Sequence, residues 1–458
     1  MSGYADFITS KRAIRSFDGI EHEPHGSLFP FQRDLVRWAL RRGRSAIFAD
    51  TGLGKSRMEA EWARAVSARG RVLILAPLAV AQQLVREAAS IGVEARYLRE
   101  DDGETKIAVT NYDMMGHFDV SGFSGLVLDE SSILKSYSGA FRNAIIDASQ
   151  SVPYRLAATA TPAPNDYTEL GNHSEFLGVQ TRAEMLAEYF CHDGGDTSVW
   201  RLKGHAVDPF WRWVTGWAAI VKMPSDLGYD DGKYRLPPLR WHEHVVGVDH
   251  SEYHAAGLLF APSTMTLTEQ RAVRRSTLDK RIEMAAQLAS GDDPVLVWGE
   301  LNSETEAAVG LITGAVEVAG SDSPDDKAER LLGFADGKIR CLVTKPKIAG
   351  HGMNWQHCRR IVFLGASHSY EQTYQAIRRC WRFGQTRPVD VHVIRAENEG
   401  SVVANYKRKE QDAQAMWDST RPMIRDAVRS IGSATGRIWN DYNPTLTMEI
   451  PSWLRSQS

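Results

Sequence analysis

The apolar positions of this chain fall into two alternating series. Short, continuous, β-rich runs occur at 45–50 (SAIFAD), 71–77 (RVLILAP), 106–112 (KIAVTNY), 125–130 (GLVLDE) and 154–159 (YRLAAT). Between them lie stretches with helical spacing of apolar residues, as at 56–67 and 80–89. Such runs read as strands buried on both faces, and parallel strands need helical crossovers, so the pattern predicts a doubly wound α/β domain. A second series at 294–300 (PVLVWGE), 315–320 (AVEVAG), 339–345 (IRCLVTK), 360–365 (RIVFLG) and 389–395 (VDVHVIR) predicts a second domain of the same kind.

The stretch between the two series is different. It carries Trp200, Trp211, Trp213 and Trp217, many Gly and Asp residues, and ends in Leu236-Pro237-Pro238-Leu239, a stiff extended connector. It is expected to be a small, mostly helical insertion, its tryptophans forming a packed core rather than a base-stacking platform. The predicted organisation is domain 1 over 1–165, insertion and linker over 166–240, domain 2 over 241–400 and a helical extension over 401–458.

Composition narrows the class. At 458 residues, 43% hydrophobic and 24% charged, the chain has a globular composition. Its longest apolar run is half a membrane span, and the N-terminus lacks an apolar signal core, so a soluble, intracellular, cytoplasmic protein is expected. Cys191, Cys341, Cys358 and Cys380 are widely spaced, which argues for reduced thiols rather than a disulfide framework or a zinc site. His242, His244 and His254 have no convincing metal spacing. A net charge of −3 gives no global basic field, so any nucleic-acid partner must be held by a local patch.

The chemistry concentrates in three segments. Ala49-Asp50-Thr51-Gly52-Leu53-Gly54-Lys55-Ser56 lies between a strand and a helix, the setting of a phosphate-binding loop, although Ala49 stands where the general pattern has Gly. Gly52 and Gly54 let backbone N–H groups turn towards phosphate oxygens; Lys55 would contact the β- and γ-phosphates of ATP, and Ser56 the Mg²⁺. Asp129 and Glu130 end an apolar strand: Asp129 would hold Mg²⁺ through water and Glu130 would polarise the attacking water. Gln375, Arg379 and Arg382 are spaced to share one helix face, and the arginines suit a charged phosphate better than burial.

The order of these segments resembles superfamily 2 helicase-like motors, and more closely their Swi/Snf-type branch. Phe31-Gln32 looks like the adenine-side glutamine element and ADTGLGKS like motif I. LAPLAVAQQ (75–83) resembles motif Ia, VTNYDMM (109–115) motif Ib, LDESSILK (128–135) motif II and ATATPAPN (158–165) motif III. VLVWGE (295–300) is similar to motif IV, TKPKIAGHGMNW (344–355) to motif V, and QAIRRCWRFGQTRPV (375–389) to motif VI. The ending Arg382-Phe383-Gly384-Gln385 points to the Swi/Snf branch.

The resemblance implies two tandem RecA-like domains closing on Mg-ATP. Gln32, Thr51, Gly52, Gly54, Lys55, Ser56 and Gln375 would bind nucleotide, Arg379 and Arg382 would act as arginine fingers, and Thr159 and Thr161 would couple ATP state to domain movement. Gln82, Thr110, Asn111, Gly350, His351, Gly352 and Asn354 would touch a nucleic-acid backbone without reading bases. The expected partner is double-stranded DNA, with no sequence preference. Rival expectations are a strand-separating helicase, whose wedge would lie in the insertion, and an ATP-gated clamp without motor activity. Ser131 and Ser132 depart from the branch's usual Ala-His and remove a histidine that could link motif II to its neighbours. Arg33, Arg37, Arg41, Arg42 and Arg44, and Arg271, Arg274, Arg275, Lys280 and Arg281, are possible backbone tracks or simply solvated helix faces.

Overall fold

The computed structural model describes residues 19–136, 139–193, 196–248, 275–349, 354–367 and 369–429. Strands β1 (Arg44–Ala49), β2 (Val72–Ala76), β3 (Arg96–Tyr97), β4 (Ile107–Asn111), β5 (Gly125–Asp129) and β6 (Tyr154–Ala158) build the first sheet. Every residue of β1, β2, β4 and β5 is buried, which is why these runs are mostly apolar. Helices α1 (Pro30–Arg42), α2 (Lys55–Val66), α3 (Leu78–Ser90) and α4 (Gly139–Ser149) cover the two faces.

The segment that follows is not a body apart. It contains α5 (Leu170–Leu177), α6 (Arg182–Tyr189), an antiparallel hairpin of β7 (Phe190–Asp193) and β8 (Asp196–Leu202), and α7 (Val207–Trp217). Its last strand, β9 (Ala218–Val221), pairs in parallel with β1 and completes a seven-stranded sheet in the order β3-β4-β2-β5-β6-β1-β9. Trp211, Trp213 and Trp217 pack with Phe48, Leu73 and Leu126 in the core of that first sheet. The tryptophans are therefore core residues, but the core belongs to domain 1 rather than to a separate insertion. Four residues, Ala-Ala-Ile-Val, following directly on an aromatic helix, give too short a run for periodicity to announce β9.

The second sheet is six-stranded and parallel throughout. It consists of β10 (Leu239–Val246), β11 (Val295–Trp298), β12 (Ala315–Val318), β13 (Cys341–Thr344), β14 (Arg360–Phe363) and β15 (Val389–Ala396), in the order β10-β15-β14-β11-β13-β12. β10 was not among the expected strands because its sequence, LRWHEHVV, alternates apolar with polar residues, as suits an edge strand. Helices α8 (Leu278–Leu288), α9 (Asn302–Leu311), α10 (Pro324–Ala335) and α11 (Tyr370–Ile377) flank this sheet. The chain then enters α12 (Gly400–Arg429), which returns to the first domain and packs on α7 and β9. The chain thus folds as two RecA-like α/β domains. No helix among the described residues is long and apolar enough to cross a membrane.

Candidate nucleotide site at the interdomain cleft

The order of the first sheet puts three carboxyl edges side by side. β1 ends in the glycine loop, β5 in Asp129-Glu130, and β6, which lies between them, in Thr159-Ala160-Thr161. Ligands in open parallel sheets bind at this edge.

The loop 50–54 has the backbone that its glycines permit. Gly52 and Gly54 have φ values of 94° and 81°, and Gly54 caps α2 in the left-handed conformation. A Cβ on Gly54 would strike the Gln32 amide. Gln32 is buried; its Nε2 donates to the Leu53 carbonyl at 2.7 Å, and its Oε1 accepts from the Phe29 N–H at 2.9 Å. The glutamine therefore braces the glycine loop. Phe29 is exposed there, and its ring meets Tyr234, which in turn meets Phe383 from the second domain. The Lys55 ammonium donates to the Ala49 carbonyl at 3.1 Å, while Ser56 and Thr51 are half-buried at the loop.

Asp129 and Glu130 stand in contrasting surroundings. Asp129 is buried, its Oδ2 has no hydrogen-bond partner, and burial with the neighbouring Glu130 charge raises its pKa to about 7, against the pull of Lys55. Glu130 is the one non-glycine residue with positive φ among the described residues, at 52°. Its Oε2 accepts from Thr159 Oγ1 at 3.2 Å, and Thr159 Oγ1 accepts from the Thr161 N–H at 3.2 Å. Thr161 Oγ1 in turn donates to Glu371 of the second domain at 3.0 Å, and Glu371 also pairs with Lys135. A hydrogen-bonded path therefore runs from Glu130 through the two threonines to the facing domain.

From the second domain, Arg379 reaches the same cleft. Burial and the adjacent Arg382 lower its pKa to about 10, and the opposing carboxylates of Glu130 and Asp129 act to raise it. Arg382 faces Glu87 and Arg378. The expectation of a single helix face is corrected: α11 ends at Ile377, so Gln375 lies on the helix while Arg379 and Arg382 lie on the turn beyond it. Gln385 shapes that turn by donating to the carbonyls of Gln356, Cys358 and Cys380, and Gly384 adopts φ 93° where a Cβ would strike Gln356. Gln375 is buried with its Nε2 unpartnered.

Four residues of the cleft escaped the sequence reading. Arg378, buried, donates to Asp50 and to the Thr51 carbonyl, both at 2.7 Å, and Tyr374 also hydrogen-bonds Asp50, so the two residues grip the glycine loop itself. His173, on α5, lies within hydrogen-bonding distance of Ser131 Oγ, 3.1 Å from its Nε2. The histidine missing from motif II thus has a counterpart from another element, and burial lowers its pKa to about 4. Glu59, one turn after Lys55, is buried beside Asp129. Only Asp50 was legible locally, as a polar residue inside the loop; the others are joined by tertiary contact.

The expected nucleic-acid contacts fare unevenly. Gln82 and Asn354 are exposed, whereas Gly350, His351 and Gly352 lie outside the described residues. Thr110 and Asn111 are corrected: both are buried at the end of an interior strand, and the Asn111 side chain is spent on the amides of Asp113 and Met114 and on Tyr97. The first basic stretch is in part the solvated helix face offered as the alternative and in part buried. Arg37 pairs with Glu23 and Asp34, Arg41 pairs with Glu21, and Arg42 and Arg44 are buried against backbone carbonyls. In the second track Arg281 is fully buried against Glu304, Lys280 donates to the Gly247 carbonyl, and Arg271 and Arg274 lie outside the described residues, as does His254. His242 meets Asp390 and His244 meets His392, and no group of three His, Cys, Asp or Glu among the described residues is placed to hold a metal ion. All four cysteines are free thiols.

Comparison with known proteins agrees with this architecture. The family described as helicase conserved C-terminal domain matches residues 280–384. Protein p41 of Acyrthosiphon pisum secondary endosymbiont phage 1 is 25% identical, with 84% of this chain and 96% of that protein covered. The SWI/SNF-related matrix-associated actin-dependent regulator of chromatin subfamily A-like protein 1 of Xenopus laevis is 29% identical over 89% of this chain, which spans 44% of that relative's length. Among solved structures, the Sulfolobus solfataricus SWI2/SNF2 ATPase core in complex with dsDNA aligns over 89% of this chain and 98% of its own, at 15% identity and a TM-score of 0.40. With helicase motifs in order along two RecA-like domains, the chain is similar to superfamily 2 helicase-like proteins of the Swi/Snf type.

Proposed function

We propose that this chain is an ATP-hydrolysing motor that translocates along double-stranded DNA, remodelling or reannealing it. The observation that carries the reading is the convergence of Lys55, Asp129 and Glu130 from one domain with Arg379 from the other in one cleft. In this reading Lys55 leaves the Ala49 carbonyl for the terminal phosphates, Glu130 orients and takes a proton from the attacking water, and Arg379 meets charge developing on the transferred phosphoryl group. The residues fit magnesium: Ser56 would offer its hydroxyl and Asp129 its unpartnered, buried Oδ2 through water. When bound, the ion supplies electrostatic stabilisation of phosphate oxygens.

The path Glu130, Thr159, Thr161, Glu371 supports a motor rather than a passive clamp, because a change at the water-orienting acid is felt by the facing domain. The preference for duplex DNA rests on the Arg382-Phe383-Gly384-Gln385 ending and on the relatives of the Swi/Snf type. A second reading, strand separation, has one observation in its favour: the segment holds an antiparallel β7–β8 hairpin, the element that would have to serve as its wedge.

Steady-state ATP turnover of wild type and Lys55→Ala, without nucleic acid and then with single-stranded DNA, duplex DNA and duplex RNA at matched salt, tests the reading. Stimulation by duplex DNA, absent in the variant, is expected. Stimulation by single strands alone, with unwinding that is lost when 190–202 is replaced by a short turn, would favour strand separation. Turnover indifferent to every nucleic acid would remove the DNA track.

A further inference from the structure

Helix α2 leaves the phosphate loop with Lys55 and Ser56 in its first turn, and Glu59 follows at offsets of four and three residues, on the same face. That face turns towards β5, whose last residue is Asp129. Glu59 is 1% exposed, and neither of its carboxyl oxygens has a hydrogen-bond donor. Asp129 is 3% exposed, its Oδ2 likewise lacks a donor, and the two carboxyl groups lie close enough to share a proton. An acid in a helix interior, buried against a second acid, is a poor structural choice, since a hydrophobic residue of similar volume would serve packing as well or better. The arrangement makes sense when something positive belongs beside both groups.

Lys55 supplies one positive charge near Glu59, Asp129 and Glu130, so three carboxyl groups confront one ammonium on this side of the cleft. Among the described residues no group of three His, Cys, Asp or Glu is placed to hold an ion directly, which leaves Glu59 a contact through water. We propose that Glu59 is a further oxygen donor of the divalent-cation site, holding a cation-bound water together with Asp129 while Ser56 and the nucleotide phosphates fill the inner positions. This rests on the assignment of the cation to Ser56 and Asp129, and extends it by a residue outside the motif pattern.

The test uses the full chain, Mn²⁺ as a paramagnetic probe and a non-hydrolysable ATP analogue, with free Mn²⁺ read by electron paramagnetic resonance. Glu59→Met is expected to weaken Mn²⁺ in the ternary complex about tenfold or more, and Glu59→Gln by less, because the amide keeps one oxygen but loses the charge. Affinity for the analogue in EDTA should not change in either variant, and thermal unfolding in EDTA checks that both remain folded. Unchanged Mn²⁺ affinity in both Glu59 variants, with Asp129→Asn losing it, would overturn the role of Glu59 alone. Unchanged affinity in Asp129→Asn as well would instead remove the cation from this corner of the cleft, and the proposal with it.

Discussion

Glu130 is held by its backbone as much as by its partners. A positive φ at a non-glycine residue is uncommon and costs of the order of 1 kcal/mol or more, and here it turns the carboxylate towards Thr159. Glu130→Gln keeps the shape and the hydrogen bond but cannot accept a proton. Its turnover should fall about a hundredfold or more with nucleotide affinity retained, measured by single-turnover hydrolysis beside equilibrium binding. Arg379→Ala should lower kcat by about a thousandfold or more and leave ground-state binding little changed, because finger contacts strengthen as charge develops. Equal losses in kcat and affinity would recast Arg379 as a binding residue. His173 makes a prediction about acid. Its folded pKa, about 4, lies below the ordinary value, so between roughly pH 6.5 and 4 the unfolded chain binds a proton that the folded one does not. Stability is therefore lost as pH falls through that window, and His173→Gln should flatten this slope in denaturant titrations.

Among elements, the junction between the glycine loop and the turn after α11 decides how the domains meet. Arg378 and Asp50 form a buried pair, with Tyr374 as a further donor, and Lys135, Thr161 and Glu371 form a second contact. Removing one partner of a buried pair leaves an uncompensated charge, worth about 3–5 kcal/mol in such settings. Arg378→Met should therefore open the cleft, read as a lower interdomain energy-transfer efficiency between dyes on the two sheets. Asp50→Asn in the same chain should restore part of the closure, since the stranded carboxylate is then gone. These contacts join residues more than two hundred positions apart, which no periodicity reveals. The same holds for the arginines on α1. Their spacing suits a solvated or phosphate-tracking face, yet Arg42 is buried over Trp38 and the Gly216 carbonyl, and Arg37 is claimed by Glu23 and Asp34.

At the scale of the whole molecule, α12 ties the two halves together. It follows the last strand of the second sheet and packs against the first domain, where Ile424 is fully buried and Trp417 donates to Asp226 at 3.0 Å. Ile424→Ala should cost about 2–5 kcal/mol of the first domain's stability, although the residue follows the second domain in sequence. Chemical denaturation followed by a dye on β1 or β5 would register it.

The sequence by itself determined the alternation of strand and helix, because continuous burial on two sheet faces demands continuous apolar runs. It also determined the glycine loop, since the left-handed turns at Gly52 and Gly54 and the helix that follows are local consequences of residue type. The motif order singled out Asp129, Glu130 and Arg379 as candidates, although it placed Arg379 on a helix face rather than on the turn beyond α11. Only the tertiary structure decided that β9 belongs to the first sheet, that Thr110 and Asn111 are interior, and that Arg378, His173 and Glu59 are drawn to the cleft. These depend on which distant groups share a buried space, and a side chain's burial and charge partners are properties of the packed chain rather than of its local pattern.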